Sequence, residues 1–109
     1  MKSEKLDRKI TLQRATITQN RDSGESIETW ATLATVWASR RRASARETLA
    51  AAELSAVVTD VFECRWDSSW SDLDPMDRLV YDGRTYMIES VDEIGRREGL
   101  SIAARARSE

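Results

Sequence analysis

Three features of this sequence predict a mainly β protein, a small antiparallel β-barrel or sandwich of six to seven strands. One short helix or long loop is inserted between strands three and four. Apolar residues alternate with polar ones in most segments, Asp82-Gly83 lies between two β-rich runs, and only residues 44–54 turn to alanine and leucine. Many short strands joined by turn signals favour closure, because a closed sheet has no edges to aggregate. The 109 residues fit a single domain over 1–109 with an insertion at 43–54, since single cores are commonest at roughly 100 to 150 residues.

In residues 8–18, RKITLQRATIT, Ile10 and Leu12 alternate with Lys9, Thr11 and Gln13, which predicts a half-buried first strand. NRDSGE, residues 20–25, collects turn formers, after which 26–30 returns as the hairpin partner. LATVWAS, 33–39, reads as a third strand whose Val36 and Trp37 face opposite sides. Ser44 followed by Glu47 has capping-box spacing and opens a short helix over SARETLAAAEL, 44–54. A helix of about three turns is marginal in water by itself, so it should be ordered only where it packs on something.

Residues 55–66 return to strand character, with Ala56, Val58, Phe62, Cys64 and Trp66 on one parity. Asp60 interrupts that row and is expected at a bulge or an uncovered edge, where charge discourages strand pairing. DSSWSDLDPMD, 67–77, holds the one proline and four acids and reads as a loop, whose Trp70 needs a packing surface. In RLVYDGRTYMIESV, 78–91, Asp82-Gly83 predicts a type I′ hairpin, because both central positions need positive φ. Leu100, Ile102, Ala104 and Ala106 alternate through the closing strand.

Composition excludes several classes. There is no histidine and one cysteine, Cys64, so zinc sites, imidazole acid–base chemistry and an internal disulfide are ruled out. No phosphate-binding glycine loop and no GxSxG elbow occurs. The acids of 67–77 lack the order of a calcium loop, and no cofactor or metal is expected. Cys64 is read as a small buried hydrophobe. The opening residues have no apolar segment of the kind a secretory signal needs and no stretch could span a membrane, so the expectation is synthesis in a cytoplasm and no membrane partner.

Seventeen Lys and Arg against nineteen Asp and Glu leave a formal charge of −2, so bulk neutralisation of a nucleic acid is not indicated. Local chemistry is concentrated in ETWATLATVWASRRR, 28–42, where two tryptophans precede three arginines. Arg40, Arg41 and Arg42 can pair with acids of the chain or touch phosphates. Trp30, Trp37, Trp66 and Trp70 can be core or stacking platforms for bases. A small β-barrel binding single-stranded nucleic acid is therefore the alternative reading.

Three pieces in register, DRKITLQRATITQNRDSGESIETWATLATVWAS, ARETLAAAE and DLDPMDRLVYDGRTYMIESVDEIGRREGLSI, resemble the head-tail joining, or head-closure, proteins of long-tailed bacteriophages. The closing hairpin carries Met76, Arg78, Leu79, Tyr81, Gly83, Arg84, Tyr86 and Ile88 in the family's order; Ala45 stands where a glycine often precedes the Arg-Glu pair, and Trp70 is extra. The resemblance implies a virion structural protein without enzymatic activity, at the neck of a phage, prophage or gene-transfer particle. Copies would form a six- or twelve-fold ring below the portal and adaptor, with a tail terminator or tail protein beneath and double-stranded DNA passing non-specifically through. It implies that Arg46, Glu47, Thr48, Leu49, Ala50, Ala51, Ala52 and Glu53 form the channel or gate segment. Arg40, Arg41 and Arg42 would lie at its root, where they contact DNA or a neighbouring subunit. The expected structural anchors are Trp30, Trp37, Phe62, Trp66, Asp82, Gly83 and Tyr86, with the two tryptophans of 28–42 buried to fix the direction of the insertion.

Overall fold

Alternation along each strand sends one apolar row inward, and six such rows close on one another. The computed structural model describes residues 6–107. Its elements are β1 (Arg8–Gln19), β2 (Ser26–Arg42), α1 (Ala45–Glu53), β3 (Asp60–Arg65), β4 (Arg78–Tyr81), β5 (Arg84–Ile94) and β6 (Gly99–Ala106). The strands pair antiparallel in the order β1-β2-β3-β6-β5-β4, and β4 returns to β1 through Ile10↔Tyr81 to Gln13↔Arg78, closing the barrel.

The core is the inward row of each strand: Ile10 and Leu12, Val36 and Ala38, Phe62 and Cys64, Leu79, Tyr86 and Ile88, Leu100, Ile102 and Ala104. Phe62 lies at its centre, edge-on to Tyr86 at 5.1 Å and to Tyr81 at 5.8 Å between ring centres. Burying a side chain of this size contributes about 1.5–3 kcal/mol. The hairpin turn is built as the sequence predicts, with Asp82 and Gly83 at φ 52° and 75°.

The second and third expected strands are one strand, the 17-residue β2. Leu33 is an extra residue opposite the Leu12/Gln13 step of β1. Such a bulge shifts the alternation by one, which makes a continuous strand look like two. The insertion therefore lies between β2 and β3.

The strand expected over 55–66 is regular only over Asp60–Arg65. The preceding residues instead finish the helix. The Ser55 N–H donates to the Ala52 carbonyl and the Ala56 N–H to the Ala51 carbonyl, with Ser55 at φ 58°. This is a Schellman cap in which serine holds the position glycine prefers.

Asp60 marks neither a bulge nor an edge. It pairs with Arg42 on one side and Ala104 on the other, keeps the inward parity of Phe62 and Cys64, and is buried. A carboxylate survives there because Arg40, inward on β2, reaches its Oδ2 at 2.8 Å.

Candidate assembly site: the insertion and its root

Ser44 starts α1 with the full capping box. Its hydroxyl accepts from the Glu47 N–H, and the Glu47 carboxylate accepts from the Ser44 N–H. Glu47 also receives both terminal nitrogens of Arg41, at 2.6 and 2.9 Å. That guanidinium and the Ser44 N–H hold the Glu47 carboxyl down to about 2. The insertion is pinched at its base, where the Ala43 N–H donates to the Thr59 carbonyl at 3.0 Å and Thr59 is stitched to β6 through Ala104 and Ala106.

Between these fixed ends α1 buries none of its residues, although the sequence suggested that it would need a packing surface. Glu47, Ala50 and Ala51, with Leu54 beyond, face Val58, Val61 and Ala103 across an open groove of about 280 Å³ on the outside of the barrel. Leu49 and Leu54 are exposed, as is Val57 in the returning segment. Arg46, Thr48, Ala52 and Glu53 are exposed as well.

The three arginines divide by parity. Arg40 turns into the barrel mouth, ion-paired with Asp60 and lying 5.8 Å from the ring centre of Tyr81, whose hydroxyl accepts from Arg8. Arg41 turns outward to Glu47 and comes within 3.9 Å of Glu63. Arg42 is exposed and makes no ion pair among the described residues. Two of the three thus brace the root of the insertion within their own chain.

The expected anchors behave differently from one another. Phe62 and Tyr86 are core. Trp30 is half-buried under the Arg78 guanidinium, 4.1 Å from its ring centre, with its indole N–H given to Glu28. Trp37 is not a buried anchor. It is 57% exposed, because Val36 and Ala38 take the inward positions on either side. Trp37 meets Trp66, Trp70 and Leu6 around an open basin of about 350 Å³. Arg97 covers Trp66, and the Trp70 indole N–H donates to the Arg65 carbonyl. Trp70 thereby finds the surface its loop position demanded.

Sequence reasoning missed Arg14. It clamps the acidic loop to β1, bonding both oxygens of buried Asp77 at 3.1 Å and Asp72 at 3.1 Å. The pairing raises the guanidinium and lowers the Asp72 carboxyl. The signal was a cation in the middle of the first strand and four acids in one loop, separated by some sixty residues of chain. Among the described residues no group of side chains is arranged to hold a metal. Cys64 is buried, and burial pushes its thiol up to about 11.

The result is a closed six-stranded barrel carrying one short helix clamped at both ends. The family model described as phage head completion protein matches residues 1–107. The chain belongs to that family. Among solved structures, a protein of Shigella flexneri 2a, known from its solution structure, is similar at 26% identity with TM-score 0.78, over 100% of this chain and 99% of that one. A chain in the virion of a native gene transfer agent particle shares the fold at 19% identity and TM-score 0.59, over 93% and 94% of the two chains. No curated protein matches the chain. As a phage head completion protein it is a virion structural protein of head closure, assembling with other proteins of the particle.

Proposed function

We propose that this head completion protein acts as one domain that forms a ring at the head-tail neck, below the portal and its adaptor. There the α1 insertion faces the DNA channel and helps to close it, and the opposite surface receives a tail component. The protein is made in the host cytoplasm, and the role is mechanical, without catalysis. Six or twelve copies suit such a ring.

The observation that carries this reading is that α1 is held firmly at both ends and buried nowhere. A helix this short gains little from its own hydrogen bonds, and the open groove beneath it leaves Leu49 and Leu54 exposed, so neighbouring copies would complete their packing. Elements of low local stability are the ones that change state on a signal. The alternative of single-stranded nucleic-acid binding finds less support, because Arg40 and Arg41 are already engaged by Asp60 and Glu47.

The test replaces residues 45–54 by a short Gly-Ser link and follows packaged DNA in tail-free heads. Heads should fill and then lose their DNA while the ring still assembles. Retention equal to that of the unaltered protein would remove the insertion from channel closure.

A further inference from the structure

Beyond the barrel the β1–β2 hairpin continues as a bare two-stranded ribbon. β4 accompanies β1 only at residues 10–13 and β3 accompanies β2 only at 38–42, so residues 16–19 pair solely with 26–29. All eight are exposed. Ile17 and Ile27 are 61% and 45% exposed, and they stand on opposite faces, because Ile17 opposes Glu28, the neighbour of Ile27. The face of Ile17 and Glu28 borders an open groove shared with Pro75, Met76 and Met87, and the other face is uncovered; a two-stranded ribbon with so little cover is at best marginally stable in water.

Its edges are also undefended. Proteins usually blunt a free strand edge with lysine, proline or inward charge. Residues 16–19 and 26–29 contain no lysine and no proline, and their single charge, Glu28, accepts the indole N–H of Trp30. The outer side of each strand thus offers main-chain donors and acceptors to any extended segment.

The ribbon itself supplies the matching segment. One free edge belongs to β1 and the other to β2, and the two strands run antiparallel. Setting a second ribbon beside the first places β1 next to β2 in the antiparallel sense again. The two free stretches lie at the same height, since 16–19 and 26–29 are mutual partners, so repetition turns without climbing. A head-to-tail contact gives a ring where its rotation closes and a filament where it climbs, and a seam without climb meets the condition for the ring. We infer that neighbouring copies join ribbon to ribbon, the β1 edge of one hydrogen-bonded to the β2 edge of the next, in a continuous antiparallel sheet around the axis. This rests on the ring reading above and names its subunit contact. Strand tilt offsets the seam by zero or about two residues, and neither register brings like charges together.

Parity makes the inference testable. Across a continuous sheet Thr18 can neighbour Ile27 or Thr29 of the adjacent copy, never Ser26 or Glu28. Chains carrying Thr18→Cys are mixed with chains carrying one of Ser26→Cys, Ile27→Cys, Glu28→Cys or Thr29→Cys, assembled into particles and oxidised. Every substituted position is exposed, so the variants should melt with the unaltered protein. The expected result is a disulfide-linked dimer with Ile27→Cys or Thr29→Cys and no dimer with the other two. Particles that show the ring but yield no dimer, or yield it with Ser26→Cys or Glu28→Cys, overturn the ribbon seam alone. Particles of the unaltered protein that show no ring overturn the ring reading and the seam with it.

Discussion

Arg40 and Asp60 show how one ion pair can set the terms for a barrel mouth. Neither could enter the inward row alone, since an uncompensated buried charge is strongly unfavourable, and together they cap the core above Tyr81. Replacing Arg40 by Met should destabilise the fold by about 2–3 kcal/mol, part of the usual loss being relieved because Arg40 keeps some exposure to water. Replacing both, as Arg40→Met with Asp60→Leu, should recover most of it; urea unfolding of the two variants checks the pair. Glu47 makes a pH prediction. Its folded value of about 2 lies below the ordinary 4.5, so its contribution is present above pH 4.5 and fades as pH falls from there through about 2. The pair is partly exposed, hence the effect is local and weakened by salt. Amide exchange in α1 should quicken across that window while the barrel strands stay protected.

Between residues and whole fold stand the elements, and here the sequence was unevenly legible. Turn chemistry could be read outright: Asp82-Gly83 demanded its hairpin, and Ser44 with Glu47 demanded a helix start, because each depends on residues within a few positions. What depended on partners far along the chain stayed hidden. Leu33 needed β1 opposite it to be recognised as a bulge, Asp60 needed Arg40, and the acidic loop needed Arg14. Parity suggested that Trp37 and Val36 face apart but not which of them faced water; the barrel settles it in favour of Val36 inside. The C-terminal cap gives the element-scale prediction. Ser55 sits at φ 58°, a conformation glycine adopts without strain. Ser55→Gly should therefore strengthen the end of α1 by up to about 1 kcal/mol, seen as slower exchange at Ala52 and Glu53. Closing a barrel does not depend on that cap, so global unfolding should barely move.

At the scale of the whole molecule, the long strand β2 organises everything. It leaves the ribbon at Ser26, crosses the barrel wall and ends at the root of α1, in a body of 51 × 31 × 26 Å. The two exposed projections thus stand at opposite ends of one strand, with the rigid core between them. Replacing residues 16–29 by an Asn-Gly turn, which joins the paired Ala15 and Trp30, should shorten the molecule and leave its thermal unfolding within about 0.5 kcal/mol of the parent, since nothing in the core is lost. Assembly into particles should fail, and particle counts by electron microscopy would show it. A barrel that melted early on this change would mean that the ribbon supports the core.

The main-chain bond from Ala43 to Thr59 carries a consequence for how such chains diversify. Because it joins backbone atoms, almost any pair of residues could make it, so what lies between can lengthen, shorten or change composition without retuning the cylinder beneath. The protein carries, in effect, an interchangeable cassette, and a foreign peptide spliced there should be displayed on an intact frame.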